Sequence, residues 1–102
     1  DAPAAIILLT DDSVSRGKMT AMDIGIICQT ICLAAFSYGL GTCIADQGLM
    51  YPETVRKFAG IPDSKQMAIS ICIGYPDLEF PANKLTSDRI STEEFAAWYG
   101  FD

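Results

Sequence analysis

Histidine is missing from all 102 residues. Its absence removes the usual Ser-His-Asp triad, the imidazole base and the commonest neutral metal ligand together. Positive charge is also scarce, since seven Lys and Arg against thirteen Asp and Glu leave a net charge of −6. Nucleic-acid binding takes its affinity from clustered cations on phosphates, which seven scattered ones do not supply. No basic n-region precedes the first apolar run, so a secretory leader is not expected in the sequence given. The chain opens on Asp1 without a methionine and turns apolar almost at once, over 4–9, as expected of a piece of something larger. Nothing repeats, and no stretch is of low complexity.

Half of the residues are apolar and only 20% are charged, which is rich for so short a chain and implies surface meant for a partner. Four cysteines, Cys28, Cys32, Cys43 and Cys72, all sit in hydrophobic runs. Cys28 and Cys32 stand one helical turn apart and could face a common object, a metal included. Neither zinc-site nor ferredoxin spacing is present, so the four read as buried thiols of a reducing cytoplasm.

The longest apolar stretch, MTAMDIGIICQTICLAAFSYGLGTC over 19–43, predicts a helix with almost no wet face. Its polar residues Asp23, Thr30 and Ser37 recur every seventh position and so form one thin line. Thr20 with Asp23 reads as a capping box, Gly39-Leu40-Gly41 as the left-handed stop, and Gly25 as a point of close backbone approach. A membrane span is the competing reading, opposed by Gln29 and Thr30 and by the lack of a basic flank.

On either side lie shorter elements. Residues 4–10 predict a strand covered on both faces, 13–18 a polar loop, and 42–45 a short strand followed by the polar loop Asp46-Gln47-Gly48. Residues 51–60 form a fully punctuated helix, with Pro52 at its start and Gly60 beyond its end. Residues 67–74 alternate, with Ile69, Ile71 and Ile73 on one face and the small Ala68, Ser70 and Cys72 on the other. From 75 to 88, Pro76 and Pro81 mark an extended tail crossing the surface or a neighbour. Ser91 and Glu94 then cap a short helix expected to carry Phe95, Trp98 and Tyr99 on one face. These strands are too few to close a sheet by themselves.

Gly39-Leu40-Gly41 follows a helix rather than a strand, so it is a helix stop and not a dinucleotide turn. Solvated carboxylates account for the acidic residues, and Asp46 has little to recommend it as an acid or base. By themselves these residues form no catalytic set.

Taken in order, DAPAAIILLTDD, CLAAFSYGLGTCIADQG, ETVRKFAGIPD, ISICIGYPD and FPANKLTSDR resemble the C-terminal half of the flavin-dependent nitroreductase family. The likeness covers essentially the whole chain, and the family's N-terminal half, with its Arg- and Ser-rich flavin-phosphate motif, is missing from it. The resemblance implies an α+β fold, an antiparallel-rich mixed sheet flanked by helices, of which residues 1–102 are the C-terminal portion of a single domain. It implies a homodimer binding FMN at its interface. The loop of Asp46, Gln47 and Gly48 would present main-chain amides to the flavin N5 and O4 side. Arg89, with Lys84 second, would reach the FMN phosphate. Ser87 stands where relatives often carry a basic residue, which places more of the phosphate on the absent half. The implied activity is ping-pong transfer from NAD(P)H through FMN to a nitroaromatic, quinone or related acceptor, in the cytoplasm. The alternative is a non-catalytic packing and dimerisation fragment with an incomplete cofactor site.

Overall fold

The computed structural model describes residues 2–14 and 17–101. Its elements are β1 (Ala4–Asp11), α1 (Lys18–Ser37), β2 (Gly41–Ala45), a 3₁₀ turn (Gln47–Leu49), α2 (Pro52–Ala59), β3 (Lys65–Gly74), a second 3₁₀ turn (Pro81–Lys84) and α3 (Thr92–Phe95). The sheet order is β1-β3-β2, and β3 runs antiparallel to both neighbours. β1 and β2 therefore point the same way, with α1 as the crossover between them and β3 inserted afterwards. The class is the α+β one expected.

Register explains where the core lies. Ile6 and Ile44 both pair with Ile71, which puts three branched side chains in a row on one face. Ile71 is 0% exposed and its neighbour Ser70 2%, so the middle of β3 is covered on both faces. Between Leu8 and Leu9 the pairing jumps from Ile69 to Met67, so Ala68 is an extra residue of β3 and forms a bulge in the central strand. β1 is an edge strand, no more than half-buried, rather than the doubly covered strand its composition suggests. β3 also starts two residues earlier than the apolar run, because Lys65 and Gln66 continue the ladder opposite Asp11 and Thr10.

α1 begins at Lys18, with Gly17 as its cap residue, and not at a capping box built on Thr20 and Asp23. Thr20 lies inside the first turn, and its hydroxyl donates to Val14 O at 2.7 Å, so it ties the helix to the preceding loop. Residues 15 and 16 of the polar loop expected over 13–18 lie outside the described residues. The hydroxyls of Thr30 and Ser37 bond back to Ile26 O and Ala34 O, so two of the three residues on the polar line find acceptors within the helix. At the far end Gly39, at φ 74°, donates to Phe36 O while Leu40 donates to Ala35 O. This is the Schellman arrangement, and the stop lies where the glycines placed it.

The helix is not wrapped by its own chain. Only Cys28 and Ala35 are buried, while Ile26, Leu33 and Phe36 are 58, 60 and 77% exposed. A Cβ added at Gly25 would meet nothing within 4 Å, so the expected close approach of another backbone is not made by this chain. Lys18–Ser37 is long and apolar enough to cross a membrane by length and composition. Here it packs along β2 and β3, and Ala21, Gly25, Cys28, Ile44, Ala68 and Ile69 border an apolar cleft of about 420 Å³ between helix and sheet.

α2 has the predicted ends, with Gly60 left-handed at φ 66°. Arg56 does more than complement the helix dipole. Its guanidinium donates to Pro62 O at 2.8 Å and Lys65 O at 2.7 Å and so straps α2 to the start of β3. The tail departs from expectation at its end. α3 stops at Phe95 and Ala96 is extended, so Trp98 and Tyr99 do not share a helical face with Phe95. Trp98 instead meets Phe101 edge-on at 6.0 Å. Ser91 is the cap residue, but its hydroxyl bonds the Glu94 carboxylate and not the backbone.

The radius of gyration is 17.4 Å, against about 13 Å for a compact domain of 100 residues. The chain exposes 8514 Å², where a compact monomer of its mass would expose about 5,600 Å².

Two outcomes follow from this packing. Ile71→Ala should cost about 2–4 kcal/mol in urea unfolding, whereas Phe58→Ala, at a residue 95% exposed, should stay within about 0.5 kcal/mol. The Ser13 hydroxyl and amide, with Lys65 behind them, lower the Asp11 carboxyl to about 2. A pKa lowered by folding stabilises the native state above the unfolded carboxylate range, and that contribution fades as pH falls toward 2. An NMR titration of the Asp11 carboxylate should show a midpoint near 2. A midpoint near 3.8, the ordinary value for an aspartate, would mean that this turn does not hold it.

Candidate functional site

The loop after β2 is an ordered 3₁₀ turn, not an open polar loop. Asp46 caps it, Leu49 N–H donates to Asp46 O at 2.8 Å, and Met50 N–H donates to Gln47 O at 3.3 Å. The amides of Gln47 and Gly48 open the turn, and such opening donors have no acceptor within it.

β3 holds this turn in place. Ala45 pairs with Ser70 in the ladder, and the Ser70 hydroxyl also donates to the Ala45 carbonyl immediately before the turn. Gly48 then seats on the same side chain. A Cβ at position 48 would lie 2.5 Å from Ser70 Oγ and 3.2 Å from Ser70 Cβ. The small face of β3 was legible in its alternation. That one of its residues shapes the loop after β2 was not, because Ala45, Gly48 and Ser70 meet only through strand pairing.

The basic candidates lie elsewhere. Arg89 Nη1 donates to Asp88 O at 2.9 Å and to the Ser87 hydroxyl, so the guanidinium is held by its own segment. Ser87 thus serves here as an acceptor for Arg89 and not as a second cation. Lys84 Nζ pairs with Glu79 at 3.5 Å on the surface, where such pairs add little. Asn83, beside Lys84, borders a cleft of about 350 Å³ with Gly41 and Gly74, at the end of β2 opposite the 47–49 turn. Among the described residues, no hydrogen bond joins Arg89 or Lys84 to residues 46–48.

Three of the cysteines are at least half-buried, but Cys43 is exposed, contrary to the expectation of four buried thiols. Cys43 lies opposite Cys72 in the ladder, and all four are free. Burial, with Cys32 a smaller influence, pushes the Cys28 thiol up. No cluster of three or more metal-ligating side chains exists among the described residues.

The nitroreductase family profile matches residues 1–75. The chain belongs to the nitroreductase family. It is 29% identical over 101 residues to a 4-nitrobenzoate reductase of Pseudomonas putida, covering 99% of this chain and 44% of that protein. A nitrobenzene nitroreductase of Ectopseudomonas oleovorans is 26% identical over 98 residues, covering 96% of this chain and 42% of its own length. Among solved structures, the FMN- and NADPH-dependent nitroreductase NfnB from Sphigopyxis sp. strain HMH superposes at a TM-score of 0.81 with 29% identity. That match covers 98% of this chain and 44% of the enzyme. NfnB from Mycobacterium smegmatis, solved with NADPH, gives 0.82 at 25% identity, covering 97% and 43%. The chain therefore spans less than half the length of these relatives.

Thiol labelling checks the local environments. At neutral pH Cys43 should react with an aromatic disulfide reagent well before Cys28, because the exposed thiol is reachable and the buried one resists ionising. Equal rates at the two positions, by mass spectrometry, would contradict this packing.

Proposed function

We propose that this chain is the C-terminal portion of an FMN-dependent oxidoreductase that reduces nitroaromatic, quinone or related acceptors with NAD(P)H. The observation that carries this reading is the family match over residues 1–75, supported by relatives described as nitroaromatic reductases and FMN enzymes. When bound, FMN supplies the redox chemistry, linking NAD(P)H oxidation to acceptor reduction in a ping-pong cycle.

The chain's own groups suit that cofactor. The opening amides of Gln47 and Gly48 are main-chain donors on a turn fixed from behind, and such donors favour negative charge on a reduced ring. Their task is to orient the ring and hold charge, which makes the backbone of Asp46, Gln47 and Gly48 matter more than the side chains. Arg89 is a permanent, fork-shaped cation suited to a phosphate, and Lys84 is a second. Both lie on an exposed tail and must be brought to the phosphate by the assembled protein. The remaining walls come from outside these 102 residues: the other half of the domain and a second copy, together forming a cytoplasmic homodimer. The uncovered apolar face of α1 supports that arrangement.

The test is flavin binding by the natural protein. A yellow preparation that binds FMN, and whose Arg89→Ala form binds it about 10–100-fold more weakly by fluorescence quenching, is expected for a lost charge-assisted contact. Unchanged affinity in Arg89→Ala removes the phosphate role, and a protein that stays colourless with added FMN removes the function.

A further inference from the structure

We propose that Ser70 is a positioning residue for the cofactor-facing turn, acting through Ala45 and Gly48 and not by contact with the flavin; the inference rests on the function proposed above. Three observations carry it. Ser70 is 2% exposed in the middle of the central strand, so its hydroxyl needs a protein partner. The hydroxyl finds that partner in the carbonyl of Ala45, the last residue before the turn. The same Oγ occupies the space that a side chain at position 48 would fill.

One side chain therefore does two things to the turn. It anchors the peptide that enters it, and it sets how closely the Gly48 backbone approaches the sheet. The opening amides of Gln47 and Gly48 follow directly, so their direction depends on this contact. Donors aimed where charge develops lose effect when turned aside, even if the hydrogen bonds elsewhere survive. Alanine at position 70 frees the Ala45 carbonyl and leaves a gap under Gly48. Alanine at position 48 pushes the turn off the sheet or expels the hydroxyl from its bond. Both changes act on the same juxtaposition, so their effects should not add.

The experiment compares the natural protein with its Ser70→Ala, Gly48→Ala and doubly substituted forms, each loaded with FMN. The reduction potential of the bound flavin is titrated spectroscopically, and thermal unfolding is recorded alongside. Ser70→Ala is expected to lower the potential by about 15–30 mV, a three- to tenfold loss of preference for reduced flavin at about 30 mV per tenfold. Gly48→Ala should lower it as well. The double form should fall short of the summed shifts, since the added methyl then has no Oγ to meet. If Ser70→Ala fails to fold, Ser70→Cys keeps the bulk with a weaker donor and should shift the potential the same way. Wild-type potentials in the folded single variants, whatever their melting temperatures, overturn the assignment, as do fully additive shifts. A natural protein that takes up no FMN overturns the proposed function instead, and that result is read before any substitution is made.

Discussion

The structure depends on the way β3 is enclosed. β3 arrives last of the three strands, yet it sits between the other two and supplies every strand pairing in the sheet. At its middle, the fully buried Ile71 stands between its ladder partners Ile6 and Ile44 on one face, while Ser70 on the other meets Ala45 and Gly48. Burying Ile71 contributes about 1.5–3 kcal/mol by apolar area alone. The buried serine is tolerable because its hydroxyl is bonded. Fold and candidate site thus share one pair of adjacent residues, and a change of register there would disturb both.

Set against that small core is a surplus of apolar surface. α1 turns Ile26, Leu33 and Phe36 outward, and the tail holds Phe80, Leu85, Ile90, Trp98, Tyr99 and Phe101 in the open. Surface of this kind on a soluble protein belongs to an interface or to the rest of a core. The solved relatives give the same sense of scale, since the chain matches less than half of each with a TM-score above 0.8. The tail's hydrogen bonds and ion pairs are short-range, as with Arg89 on Ser87 and Asp88 or Lys84 on Glu79. The tail is locally ordered without being docked.

What the sequence made legible was whatever is decided locally. The Gly39 stop, the punctuation of α2, the strand at 42–45 and the alternation of β3 all follow from spacing and turn chemistry. The start of α1 was missed because Thr20 can serve either as a cap or as a link to Val14, and tertiary context chose the link. β1 reads as a buried strand because its apolar run is continuous, yet within this chain it is an edge whose outer cover is not among these residues. Trp98 and Tyr99 left the predicted face when the helix ended at Phe95, for which no glycine or proline gave warning. Gln47 and Gly48 were singled out by resemblance, whereas Ser70 required the pairing of strands 25 residues apart.

The turn after β2, held from behind by β3, is the part of this chain proposed to face a flavin. A crystal structure of the natural protein with FMN bound tests this most directly. It should place a main-chain nitrogen of residues 46–48 about 3 Å from the N5 or O4 edge of the ring, with Ser70 still bonded to Ala45. A ring seated against other residues, with that turn facing solvent, would contradict it.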